Sequence, residues 1–231
     1  VILVLMSERL NKYIAFQLGL SRREADDLIA DGAVSVNGTV ATLGGRVEPG
    51  QAVSVKGQLV TEKSDYTYIL LNKPEGYVSS RKQQGDAPTL YELLPQEMHS
   101  LKPVGRLDKN SSGLLILTDD GELAFQMTHP KFYKVKIYEV DLGTALEPLH
   151  QQMISDYGIA LEDGPSKISL EKVSDDRKKW IATMHEGRNR QIRRTFASLG
   201  YDVTRLHRTS FGPYILGELP SGKFETIEKR A

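Results

Sequence analysis

An arginine and an aspartate two residues apart, Arg106 and Asp108, stand in VGRLDKNSSG, the stretch from Val104 to Gly113 just ahead of the apolar run Leu114 to Leu117. A carboxylate in such a loop can serve as a base or a nucleophile. The same residues among Gly and Ser also suit a solvated turn whose Asp bonds to its own backbone. Two further stretches carry comparable groups. Tyr138 lies in KVKIYEVDL, where a half-buried sheet residue would account for it, and EGRNRQIRR (186–194) holds Arg188, Arg190, Arg193 and Arg194. At ~100° per residue, a helix after Asn189 places Ile192, Phe196 and Leu199 on one stripe, which must be the buried one. Arg190 and Arg194 then face solvent, where they could meet phosphates, and Arg193 lies on the border, within reach of a carboxylate on a neighbouring loop. Ordinary surface ion pairs would explain each of these arginines alone.

Several elements must position these groups. Ser7 can cap a helix running to Leu18, with Gly19 as its stop. Ser21 and Glu24 form the S-x-x-E capping box of a second helix that ends at Gly32. The period then changes to two: AVSVNGTVA carries valines around Asn37-Gly38, the pair favouring a type I′ hairpin, and EPGQAVSV repeats the strand pattern. Glu62 to Asp65 reads as a polar joint, so the chain divides into residues 6–60 and 66–231. Beyond the joint, TYILLNKP, GLLILT, KVKIYEVDL and YDVTRLHR read as strands, as do residues 157–161, 167–173 and 179–185. Short helices are expected in TLYELLP, in DDGELAFQMTH, from Ala145 to Met153, and in NRQIRRTFASLG with Asn189 as cap and Gly200 as terminator. The fold class is mixed α+β with a largely antiparallel sheet.

Composition narrows the chemistry. The 231 residues contain no cysteine, which excludes disulfides and thiolate metal sites and makes a reducing cytoplasm the expected home. The histidines at 99, 129, 150, 185 and 207 show no zinc-pair spacing, so no metal is expected. VILVL is far shorter than the ~20 apolar residues of a membrane span and has no basic residue ahead of it. No signal peptide or membrane segment is expected, and either Val1 is an alternative start or the start is Met6. Thirty basic and thirty acidic residues cancel. Their distribution does not: six Arg face two carboxylates between Glu186 and Arg208, and Arg9, Lys12, Arg22 and Arg23 face only Glu8 near the start. Two basic islands are a footprint for a polyanion, or equally two solvated faces.

GRLD (105–108), K-x-Y (Lys136 to Tyr138) and EGRNRQIRR, in that order and preceded by LNKP (71–74), resemble the RsuA-type pseudouridine synthases of bacterial ribosomal RNA. RLNKYI and SRREADDLIADGAVSVNG resemble the S4-like αL RNA-binding module. The resemblance runs from Ser7 to Ile227. It implies a small αL domain ahead of a pseudouridine synthase domain, no cofactor, and Asp108 as the catalytic carboxylate. It also implies Arg193 as the partner of that carboxylate, Tyr138 stacked on the target base, and Arg106 filling the gap left by a flipped nucleotide. Lys73, Lys136, Arg188, Arg190 and Arg194, with Arg9, Lys12, Arg22 and Arg23 of the N-terminal module, become RNA contacts. Asn11 departs from the Asp frequent in that module.

The expected activity is isomerisation of one uridine in ribosomal RNA, in free rRNA or an assembly intermediate, by a monomer. LEDGP (161–165) and EGRNRQIRR favour a 23S target near the peptidyl transferase centre over a 16S one. A non-catalytic RNA-binding or assembly factor would have lost Asp108 or Tyr138. A small-molecule lyase or glycosidase would show paired carboxylates and no RNA module.

Overall fold

The structure is a computed structural model that describes residues 7–61, 65–81 and 83–230. VILVL with Met6, and the joint's Glu62, Lys63 and Ser64, lie outside the described residues. The chain separates into two compact units, one reaching to Thr67 with Asp119–Gly121, the other formed by Tyr68–Thr118 and the remainder.

In the first unit two helices, Leu10–Gln17 and Arg22–Ala30, accompany a four-stranded sheet in the order Thr39–Val40, Val34–Val36, Val53–Val55, Gln58–Leu59. The capping box forms as its spacing predicts: Ser21 Oγ accepts from the Glu24 amide at 3.1 Å, and the Glu24 carboxylate accepts from the Ser21 amide at 2.6 Å. Asn37 and Gly38 both take positive φ, 50° and 80°, the type I′ requirement. Ser7 does not cap the first helix. That helix starts at Leu10 without a side-chain cap, and Ser7 Oγ instead accepts from Arg46 Nε at 2.8 Å. Leu10, Ile14, Ala25, Ile29, Val34 and Val53 form the unit's core.

The second unit is built on a nine-stranded sheet. Along its main path the strands run Ser169–Lys172, Lys179–Met184, Lys136–Leu142, Val203–Phe211, Ser112–Thr118, Tyr68–Lys73 and Phe224–Thr226. Every pairing on that path is antiparallel except one: Val203–Phe211 runs parallel to Ser112–Thr118, and only through His207↔Ser112 and Arg208↔Gly113. This short seam joins two antiparallel halves. Leu114 to Leu117 are all fully buried because the sheet is covered on both faces. Leu115 and Leu117 pack with Ile69, Leu71, Val140 and Trp180, while Leu114 and Ile116 pack with Leu70, Val104, Leu123 and Phe211. Fully burying one such side chain stabilises the fold by roughly 1.5–3 kcal/mol, so this run anchors the centre of the sheet.

Around the sheet, the expected helices shorten. TLYELLP makes a 3-10 turn, Leu90–Leu93, and the expected helix from Ala145 to Met153 becomes Pro148–Gln152 followed by a π-turn, Met153–Tyr157. Pro148 explains the late start, since proline fits the first helical position. The last helix is Gln191–Ala197, and its N-cap is Arg190 in a left-handed conformation rather than Asn189.

Candidate active site

The loop Val104–Ser111 arrives at the parallel seam and is fastened there from several sides. Ser79 Oγ donates to the Leu107 carbonyl at 2.8 Å and accepts from the Leu107 amide at 3.2 Å. The Gly76 amide donates to the Lys109 carbonyl at 2.8 Å. The Lys73 ammonium donates to the carbonyls of Ser111, at 2.7 Å, and Pro74, at 2.8 Å. Arg193 adds a clamp, donating from one nitrogen to the Asn110 carbonyl and from another to the Val203 carbonyl. A loop held at this many backbone points presents Asp108 in a fixed position, the preorganisation that catalysis by a carboxylate needs.

Asp108 opens onto a cavity of about 260 Å³ whose walls include Arg106, Lys136, Tyr138, Arg190 and Arg208. Tyr138 is buried in the wall, whereas Arg106 is exposed at the rim. A bulge in the pairing of Lys136–Leu142 with Val203–Phe211 shapes this side. Ile137 pairs with Ser210 but Tyr138 pairs with Arg208, so Thr209 is the extra residue. Bulges re-aim side chains. Here the inserted residue allows Arg208 and Phe211, three apart, both to line the cavity beside Lys136 and Tyr138.

The site is rich in cations. Arg190 lies 3.7 Å from the Asp108 carboxylate, with both side chains partly exposed. Arg208 is 2% exposed, donates from Nε to the Leu114 carbonyl at 2.8 Å, and holds its guanidinium 4.8 Å from the Phe211 ring. Its Nη2 is buried with no hydrogen-bond partner among the described residues. The Lys136 ammonium lies against the same ring at 5.1 Å. Burial, reinforced by Arg208, pushes Lys136 down to about 8 against the opposing pull of Glu186. Lys73 is likewise lowered to about 8, chiefly by burial, although Glu75 and Asp108 favour its charge. Among the described residues, no group of three His, Asp or Glu gathers to hold a metal.

Several site residues behave differently from their sequence reading. The helical wheel sends Arg190 to the solvent face, but Arg190 stands before the helix with φ 47°, and this turn brings it to Asp108. Arg193 is on the helix border as expected, yet its guanidinium spends its donors on the Asn110 and Val203 carbonyls instead of the carboxylate. It still sits within electrostatic range of Asp108, which partly offsets the lowering of its pKa by burial and by Arg190. Lys73, expected to meet RNA, is wholly buried and bound to two carbonyls, out of reach of a phosphate. Arg188 donates to Asp163, Gly164 and Pro165, and Arg194 pairs with the Asp163 carboxylate at 2.6 Å, so both brace the LEDGP turn. Those contacts replace the phosphate role expected of the pair. In the first unit Arg9, Arg22 and Arg23 are exposed, and Lys12 pairs with Glu8 at 2.5 Å. Arg208 is the residue that sequence reasoning passed over; a charged residue inside the strand pattern TRLHRTSF was its only local signal.

Comparison with known proteins follows the same division of the chain. The RNA pseudouridylate synthase family matches residues 67–198, and the S4 domain family matches residues 8–53. A ribosomal large subunit pseudouridine synthase B from Bacillus subtilis is 38% identical over 93% of this chain and 90% of its own length. The protein of that name from Pseudomonas aeruginosa is 37% identical over 97% of this chain, which spans 61% of that longer relative. A solved structure described as a pseudouridylate synthase superposes with a TM-score of 0.69 at 34% identity, covering 95% of this chain and 96% of the other. The chain therefore belongs to the RNA pseudouridylate synthases, in the RsuA-type branch that carries an S4 domain ahead of the synthase domain.

Proposed function

We propose that this protein converts one uridine of ribosomal RNA to pseudouridine, and that the uridine lies in 23S rRNA. The observation that carries the reading is the cavity where Asp108 and Tyr138 meet beneath a set of cations, at the end of a loop fastened by its backbone. Its RNA class rests on the S4 domain match and on relatives named as large-subunit enzymes.

The target nucleotide must leave its stack, at a cost of a few kcal/mol. Arg106, flat and exposed at the rim, suits the vacated space, and Tyr138 supports the uracil ring. The bond from N1 to C1′ then breaks, its electron pair leaving with the uracil. The Asp108 carboxylate meets the electron-poor sugar by bonding to C1′ or by taking a ribose proton. After the base turns, C5 bonds to C1′, Asp108 is released in its original state, and the C5 proton is lost, with Tyr138 placed to assist, while N1 takes up a proton. No atom is gained or lost overall, so no cofactor is consumed. The unpartnered Arg208 Nη2 and the Lys136 ammonium supply positive potential on the wall of the cavity in which the detached uracil carries negative charge. Arg190 neighbours the Asp108 carboxylate, while Arg193 positions its loop. Arg9, Lys12, Arg22 and Arg23 add backbone contacts, so affinity for RNA falls with salt. The enzyme works as a monomer in the cytoplasm. Among the described residues no helix is long and apolar enough to cross a membrane.

Carbodiimide primer-extension mapping of rRNA from cells lacking the protein tests the assignment. One pseudouridine stop in 23S rRNA should vanish. Loss of a 16S stop instead would move the target, and persistence of every stop would overturn the activity.

A pH dependence follows from the two lysines. The protonated form of Lys136 supplies the positive potential, so turnover should decline as pH rises through about 8. Stability should move the other way. Both lysines are lowered in the folded protein, so the unfolded chain binds more protons between about 8 and 10.5, and their contribution to stability rises across that window. Single-turnover rates and urea midpoints measured in parallel from pH 7 to 10 check both signs; rates that hold steady past pH 9 would remove Lys136 from the mechanism.

A further inference from the structure

A second hollow, of about 560 Å³, is lined by Lys131, Tyr133, Lys167, Thr183, Met184 and His185, among others. Met184 contributes to the lining of both hollows. Tyr133 dominates the second. Its side chain belongs to a residue 74% exposed, although tyrosine usually buries its ring. Its backbone sits in the left-handed region at φ 47°, which is costly for a bulky residue.

That conformation is held in place. The Tyr133 amide donates to the Pro130 carbonyl at 3.1 Å, and the Tyr133 carbonyl contacts His185 Nδ1 at 3.2 Å. The short turn Pro130–Phe132 is itself braced by Phe132, which packs edge-on against Phe125. The Lys131 ammonium rests over both of those rings, at 4.7 and 5.0 Å. Lys167 adds a second exposed cation. The single carboxylate on the lining, Glu186, accepts from Gln191 and Arg188, which offset its charge. An exposed aromatic ring on a braced turn, with two lysines on the same lining, has the chemistry of a stacking platform for single-stranded nucleic acid. Tyr133 precedes Tyr138 by five residues, which at ~3.3 Å per strand residue keeps the two rings' backbones within roughly 17 Å. A strand of RNA with one nucleotide flipped onto Tyr138 can reach Tyr133 with a nearby base.

We infer that Tyr133 stacks an unpaired nucleobase of the substrate RNA that flanks the target uridine, with Lys131 and Lys167 on the adjoining phosphates. This subsite rests on the proposed reaction and adds to it a requirement that the neighbouring nucleotide be single-stranded. Because every base has a π-face, the subsite accepts any base and selects for an open strand.

The test uses the full chain and a 23S rRNA fragment that the wild type converts. Tyr133→Ala should raise Kd about tenfold with the single-turnover rate at saturation unchanged, and Tyr133→Phe, which keeps the ring, should bind as the wild type does. 2-Aminopurine placed in turn at each nucleotide next to the target should be quenched on binding at one position, and Tyr133→Ala should relieve that quench. Lys131→Ala with Lys167→Ala should reduce the salt dependence of binding. An unchanged Kd in Tyr133→Ala, a Tyr133→Phe defect equal to that of Ala, or quenching at no position would overturn the subsite while leaving the isomerase reading intact. A wild-type protein that converts no uridine in any 23S fragment would overturn the reading itself, and the subsite with it.

Discussion

Asp108→Asn should abolish release of tritium from RNA carrying 5-tritiated uridine, a loss of about 10³-fold or more if the carboxylate serves as nucleophile or base, while RNA binding survives. The amide matches the carboxylate in shape but can neither bond to C1′ nor take a ribose proton. The fold should tolerate the change, because the loop is fixed through the carbonyls of Leu107, Lys109, Asn110 and Ser111 and not through the Asp108 side chain. What is lost locally is one contact, the partly exposed pair with Arg190 at 3.7 Å, of the kind that contributes roughly 0–1 kcal/mol. In the proposed mechanism Arg106 and the basic residues of the first unit keep their RNA contacts in this variant. Binding and turnover should thus separate cleanly. A mutant with full turnover would sink the mechanism, and one that loses binding in proportion to activity would make Asp108 an RNA contact instead.

The second large effect is on stability, at Gly113. This residue has φ 104° and pairs with Arg208 across the parallel seam. A Cβ there would stand 2.3 Å from the Arg208 carbonyl oxygen and 2.6 Å from its amide nitrogen. Both are backbone atoms of a buried strand that has no room to withdraw. Unfavourable φ costs ~1–3 kcal/mol and overpacking ~1–3 kcal/mol, so Gly113→Ala should lose about 3 kcal/mol or more of a total of roughly 5–15. Urea unfolding measures it directly. Gly105→Ala is the comparison: its φ is also positive, at 73°, but the added methyl meets only the Thr128 side chain at 3.6 Å. A Gly113→Ala variant no less stable than Gly105→Ala would show that the seam can open to admit a methyl group. Residual folded Gly113→Ala should also turn over slowly, since the displaced strand carries Arg208.

Features set by neighbouring residues were legible in the sequence. The Ser21/Glu24 box, the Asn37-Gly38 turn and the strand of Leu114 to Leu117 depend on residues a few positions apart, and the structure has all three. The S4 and synthase domains were recognisable because GRLD, K-x-Y and the arginine run keep a fixed order. Residue environments were harder. Lys73 reads as one more cation, and only the sheet shows that it is sealed under the catalytic loop. Arg190 was misplaced because one residue in a left-handed conformation breaks the helical angle on which the reading relied. Arg193 was placed on the correct face, but carbonyls from a loop and a strand, supplied by tertiary structure, compete for its donors. Arg208 becomes informative only once its strand is known to bulge at Thr209 and to lie beside Gly113.

The parallel seam also bears on how the protein is made. Ser112 and His207, which meet there, are 95 residues apart. Closing so long a loop costs chain entropy before the contact rewards it, so this pairing belongs to the late, slow part of folding. During translation, the strand Ser112–Thr118 can pair with Tyr68–Lys73 well before Val203–Phe211 has left the ribosome. Until then its Ser112–Gly113 end lacks the parallel partner, and Asp108 lies in the nascent chain without Arg208. Synthesis and activation of this enzyme are therefore coupled: a chain stalled before Val203 lacks both Arg208 and the strand that closes the seam, and the unpaired side of Lys136–Leu142 is an edge by which partly folded sheets aggregate.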